Sequence, residues 1–286
     1  MSLSPALTSP ATPSVALAVA SGLALLSYVW AGVQAQARAA APPGESQTIR
    51  TGLRWTALAS AWCVHLLALV VDISGWGQAQ DGARFGFAPA LSLTVWLVLT
   101  VYLVESRFYP LHSVRRMLAL IAALAVGLAW CFPGELRPTA ASAWAPLHWM
   151  FGLASYALFG VAVLHAALMN RAEQRLRHGR ASEGLPVLRL ERLTFQFVTA
   201  GVVVLSLAIL LGWWFTPHWR WDHKNLLSVL GWLVLTALLA GRRLYGWRGR
   251  RAMRWLYAGA GLLLLAYVGT RFVLEVVLQR GGGVAG

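Results

Sequence analysis

The chain is poor in charge. Only 12% of its 286 residues are Asp, Glu, Lys or Arg, against roughly 25% in soluble domains. With 58% hydrophobic residues and a mean hydropathy of +0.61, that deficit excludes an ordinary water-soluble globule. Cysteine is scarce too. Cys63 and Cys131 both lie in apolar runs, and neither CxxC nor CxxCH occurs. A disulfide framework, a dithiol couple and a covalent c-type haem attachment are thereby excluded, and both cysteines are expected to be small buried hydrophobes. No Walker motif occurs, so nucleotide-driven transport has no support. Lysine appears once, as Lys224; every other cation is arginine. The opening "MSLSPALTSPATPS" lacks a positive n-region, so the first apolar run is expected to be a retained span.

What is present is apolar length. A membrane helix needs about 20 mostly apolar residues. Eight stretches qualify: 14–34, 53–73, 87–105, 116–132, 146–170, 194–214, 225–241 and 253–276. The expected fold is all-α and polytopic, one transmembrane domain over 14–276 between short outer segments 1–13 and 277–286. The connections after the first, third, fifth and seventh spans carry 18 of the 24 cations. Positive connections stay cytoplasmic, so both termini are expected outside. The basic charge (+14) punctuates spans and forms no long tract, which argues for a lipid bilayer and against nucleic acid. Trp76, Trp130, Trp144, Trp149, Trp213 and Trp214 fall at predicted outer ends, as an interfacial belt does.

The seven histidines sort by depth. His112 and His178 read as solvated loop residues, and His165 as an interhelical hydrogen-bonding group. His65, in "WCVHLLALV", lies at mid-span, where an ionisable group faces the bundle interior or a cavity. It reads either as an interhelical partner or as a cofactor ligand. His148 opens the fifth span, and counting by fours from it gives Gly152, Tyr156 and Gly160. That row suits close helix packing or a flat ligand. His218 and His223 flank the outer loop "HWRWDHK" at 218–224. Neutral imidazole binds metals and haem iron. Zinc wants three or four tightly placed ligands, and these outer loops hold no cysteine.

The loop itself suits a porphyrin. Indole faces stack on flat π-systems, which Trp219 and Trp221 offer. Guanidinium and ammonium groups pair with carboxylates, which Arg84, Arg220 and Lys224 offer to propionates. Asp222 is expected to orient the loop, through an indole N–H or Lys224. His148 or His65 would ligate the iron.

The residues at 147–168 (LHWMFGLASYALFGVAVLHAAL), 220–238 (RWDHKNLLSVLGWLVLTAL) and 245–271 (YGWRGRRAMRWLYAGAGLLLLAYVGTR) resemble the cytochrome c assembly family, the CcsA/CcmC/CcmF group of haem-handling membrane proteins, and among them the short bacterial YpjD-type members. The resemblance implies a tryptophan-rich outer loop (here 213–224) ending in W-x-W-D, matched by Trp219, Trp221 and Asp222. It implies an outer histidine matched by His148 and an early-span histidine matched by His65. The loop here is abbreviated, and His223-Lys224-Asn225 stands where the family usually reads PKE. The family histidine after the loop has no counterpart near Ala240 and Arg242, nor does the one past the last span. His218 or His223 could stand in for an outer ligand. The resemblance thus implies a non-enzymatic protein of the bacterial inner membrane that binds haem b and presents it at the outer face. Apocytochrome c or another membrane assembly subunit would be its partner. The absent histidines speak against synthetase activity, and leave open a haem-free accessory subunit that keeps the fold.

Overall fold

The computed structural model describes residues 14–39, 47–76, 83–108, 114–133, 135–137, 144–179, 186–215 and 221–273. Each of the eight apolar stretches holds a helix among the described residues: α1 (Val15–Ala39), α2 (Gln47–Ser74), α3 (Phe87–Phe108), α4 (Arg115–Cys131), α5 (Ala145–Arg177), α6 (Val187–Phe215), α7 (His223–Tyr245) and α8 (Gly249–Leu264). A π-helical turn (Leu265–Gly269) and a final α-turn, α9 (Thr270–Phe272), continue the last helix. Seven of the helices are long and apolar enough to cross a membrane. α4 has 17 residues, about 26 Å of rise, at the short limit of a span. The protein is a polytopic all-α membrane protein.

Successive helices alternate in direction. Ser14, ahead of α1, donates from Oγ to the carbonyl of Trp76, just past α2. Two three-residue strands, β1 (Ala83–Phe85) before α3 and β2 (Glu135–Arg137) after α4, pair antiparallel. Phe87 at the start of α3 touches Phe132 after α4 and Phe272 in α9. One end of the bundle thus gathers the two short strands, the end of α2, the start of α1 and the end of the last described helix. Exposed tryptophans Trp76, Trp144, Trp213, Trp214 and Trp221 sit at this end.

Small side chains let the backbones approach. Ala24, Ala31, Ala57, Ala61, Ala119 and Ala122 are all buried among α1, α2 and α4, where lipid supplies no hydrophobic drive and van der Waals fit must hold the helices together. The two cysteines correct the expectation of burial: Cys63 and Cys131 are exposed on the outside of the bundle. A thiol is apolar enough to face acyl chains, so the interior had no need of it.

Two intramembrane histidines are spent on helix contacts. His65 of α2 is fully buried, with Tyr28 Oη of α1 2.9 Å from Nδ1 and Ser92 Oγ of α3 2.8 Å from Nε2. Both ring nitrogens are engaged, and three helices are tied together. His165 of α5 donates from Nδ1 to the carbonyl of Val161, one turn earlier in α5 (2.8 Å), and its Nε2 lies 3.0 Å from Glu105 of α3. His178 donates to the carbonyl of Gln174; His112 lies outside the described residues.

Candidate functional site

At the end of the bundle that carries β1 and β2, five helices leave a cavity of about 410 Å³. That volume lies within the range of small-molecule sites. α3 contributes Leu91 and Thr94, α5 His148, Gly152 and Tyr156, and α6 Ala208 and Gly212. The start of α7 adds Lys224 and Ser228, and the last helix adds Tyr267 and Arg271.

His148 is the best-defined group in it. Pro146 near the start of α5 suits the first turn, where no N–H partner is lost. His148 then stands on the face toward α6, with Nδ1 2.8 Å from the carbonyl of Ala208. A carbonyl only accepts, so Nδ1 carries the hydrogen, and in the neutral ring the lone pair is on Nε2. This is the arrangement by which proteins hold an imidazole ready for a metal. The ring has a seat because residue 212 is glycine: a Cβ there would lie 2.8 Å from His148 Cε1. Of the row read by fours, His148, Gly152 and Tyr156 line the cavity, and a Cβ added at Gly152 would meet no atom within 4 Å. Gly160 does not line it; it faces Val98 of α3. Tyr156 donates to the carbonyl of Leu263 at 2.7 Å, just ahead of the π-helical turn. π-turns recur at functional sites; this one carries Tyr267 and Val268 into the cavity wall.

The polar rim differs from the sequence expectation. Asp222 lines the cavity, but its carboxylate is the N-cap of α7, accepting from the Asn225 N–H at 2.8 Å. An indole or Lys224 is not needed to explain it; the uncompensated N–H groups of the first helical turn are. Lys224 lines the cavity, its Nζ 5.9 Å from the Tyr267 ring centroid. Trp221 is 69% exposed and, like His223, does not line the cavity. His65 lies elsewhere, in its contacts with Tyr28 and Ser92. Arg84 is placed only by its backbone, opposite Leu136 in the strand pair, and His218, Trp219 and Arg220 lie outside the described residues.

Gly212, Tyr267 and Arg271 are among the cavity groups that escaped the sequence reading. A signal existed for the last two, which stand four apart at the end of the last described helix. Nothing in the sequence pairs them with His148. Among the described residues no three His, Cys, Asp or Glu side chains converge. A single imidazole among the described residues would suit the iron of a porphyrin better than a protein-only zinc site. The cavity's apolar walls (Leu153, Ile209, Val229 and Val268 among them) and its two cations fit the same group, an apolar disc with carboxylates.

A family model described as cytochrome C assembly protein matches residues 86–278. Inner membrane protein YpjD of Escherichia coli (strain K12) is 30% identical over 222 residues, covering 74% of this chain and 83% of its own. Cytochrome c biogenesis protein CcsA of Prochlorococcus marinus is 23% identical over 249 residues, covering 73% and 78%. The CcsA of Synechococcus sp. (strain CC9605) is 24% identical over 247 residues, covering 73% and 81%. No solved structure matches significantly.

Proposed function

Because this chain belongs to the cytochrome c assembly protein family, we propose that it binds haem b in the cavity beside His148 and presents it at the outer face of the membrane. Membership supports a role in cytochrome c biogenesis, and the protein is a multi-pass protein of the bacterial inner membrane. The observation that carries the proposal is His148, hydrogen-bonded through Nδ1 to the Ala208 carbonyl, in a cavity that Lys224 and Arg271 also line. Haem would supply an iron with affinity for imidazole, and two propionates. His148 would hold the iron. Lys224 and Arg271 would neutralise the propionates, and the apolar side chains of α5, α6 and α7 would keep water from the ring faces. No residue is assigned a catalytic step; the contribution is binding and presentation to an apocytochrome or another assembly subunit.

Titration of the purified protein with haemin tests this. A saturable Soret band at about one haem per chain is expected, with an affinity in the micromolar range or tighter, about −8 kcal/mol. The second reading, a haem-free accessory subunit, is favoured by His148 being the one histidine lining the cavity among the described residues. A colourless protein that takes up no haemin would establish it.

The proposal also places the cavity end outside the cytoplasm, with eight spans and both termini on that side. It follows from the cation distribution. A periplasm-dependent reporter fused after residue 286 is expected to be active; activity of a cytoplasm-dependent reporter there would reverse the orientation.

A further inference from the structure

The other end of α7 carries a second built feature. α7 runs 23 residues from the cavity, roughly 34 Å, and turns into α8 through Gly246 and Gly249, both with positive φ (64° and 58°). The Gly246 N–H donates to the Arg242 carbonyl and the Trp247 N–H to the Gly241 carbonyl. The Trp247 indole fills the angle between the helices. A Cβ on Gly241 would lie 2.4 Å from it, Trp255 packs at 5.3 Å between ring centroids, and the Arg251 guanidinium lies 4.3 Å over the ring. This turn is held by packing.

On it stand six arginines, Arg242, Arg243, Arg248, Arg250, Arg251 and Arg254, and the chain has no acidic residue from 224 to 274. Arg242 is used internally: its guanidinium lies 3.5 Å from the Phe195 ring centroid, with Glu191 as charge neighbour. The other five are exposed, and none has a carboxylate partner among the described residues. Five uncompensated like charges on a rigid turn repel one another until anions come from outside. Beside them Leu244 and Tyr245 are 75% and 76% exposed. Aromatic and apolar side chains at the end of a span belong at the headgroup level, so the anion must be offered where acyl chains begin. Guanidinium groups match phosphate geometry. We infer that the α7–α8 turn is a binding site for the phosphate of anionic phospholipids, held by Arg243, Arg248, Arg250 and Arg254, with Leu244 and Tyr245 against the acyl region.

The test uses the full chain in nanodiscs of phosphatidylcholine with or without phosphatidylglycerol. Lipid retained after detergent extraction is counted by native mass spectrometry, and thermal unfolding is followed in parallel. Wild type is expected to retain phosphatidylglycerol selectively and to unfold at higher temperature in its presence. The variant R243Q/R248Q/R250Q spares Arg251 and its contact with Trp247. It is expected to bind phosphatidylglycerol at least about tenfold more weakly, since each basic residue at an anionic surface contributes to binding. The control R171Q/R175Q/R177Q removes as many charges at the end of α5 and is expected to keep the selectivity. Equal loss in the control would mean general basicity and overturn the site. So would wild type retaining both lipids equally, or millimolar inorganic phosphate reproducing the stabilisation. None of these readouts involves haem, so the turn and the cavity stand or fall separately.

Discussion

His148→Ala is expected to abolish the Soret band of the protein and to weaken haemin uptake by more than about a hundredfold. Losing an outer partner of a metal ligand typically costs roughly 10–100-fold; losing the ligand itself costs more. Lys224 and Arg271 would remain, so residual weak binding without the spectrum of an imidazole complex is the expected remainder. Added free imidazole should restore the band, because the pocket for the ring stays open. Gly212→Ala provides the companion test with the ligand intact. Its Cβ would stand 2.8 Å from His148 Cε1, the ring must move off the Ala208 carbonyl, and a loss of about 10–100-fold is expected. An unchanged spectrum in His148→Ala would take the iron away from this cavity.

His65→Leu is expected to act on stability and to leave haemin titration within about twofold of wild type. The substitution keeps the volume apolar but strands the Tyr28 and Ser92 hydroxyls in the interior. Interhelical hydrogen bonds in membrane proteins contribute about 0.6 kcal/mol on average and up to about 1.7 kcal/mol. Two lost bonds therefore predict about 1–3 kcal/mol, read as a lower unfolding temperature in detergent. Combining His65→Leu with Tyr28→Phe and Ser92→Ala should recover much of that loss, since removing both partners of a buried bond is nearly neutral. If His65→Leu instead removed the Soret band while the protein stayed as stable as wild type, His65 would belong on the iron and the triad would not describe the working state.

The two histidines show how far residue patterns reach. Both stood out from the sequence as polar groups in apolar runs, and both were open to a ligand reading and a packing reading. The difference lies in what surrounds each ring. His65 meets hydroxyls from α1 and α3 on both nitrogens; His148 turns Nδ1 to the Ala208 carbonyl and has Gly212 against its ring, on the wall of a cavity. None of those neighbours is near its histidine in sequence, since Ala208 and Gly212 are some 60 residues from His148. Arg271 is a cation at the end of an apolar run, but only the packing of the last described helix against α5 and α7 brings it to the cavity that His148 lines. Asp222, expected to orient the loop, caps the first turn of α7 through the Asn225 N–H, a contact set by local spacing that the N-cap pattern explains.

Helix ends were legible only where hydropathy changes. α5 continues to Arg177 and α6 begins at Val187, beyond the apolar limits, because backbone hydrogen bonding does not stop where the apolar layer stops. By itself the sequence determined the eight helices, their alternating loop charge and the i, i+4 row of His148, Gly152 and Tyr156, since apolar length and helical period are local properties of a chain. The tertiary structure alone decided that His148 is seated by Gly212, that His65 is tied to Tyr28 and Ser92, and that Lys224 and Arg271 line one cavity. Those are contacts between helices far apart in the chain, chosen by which faces fit together.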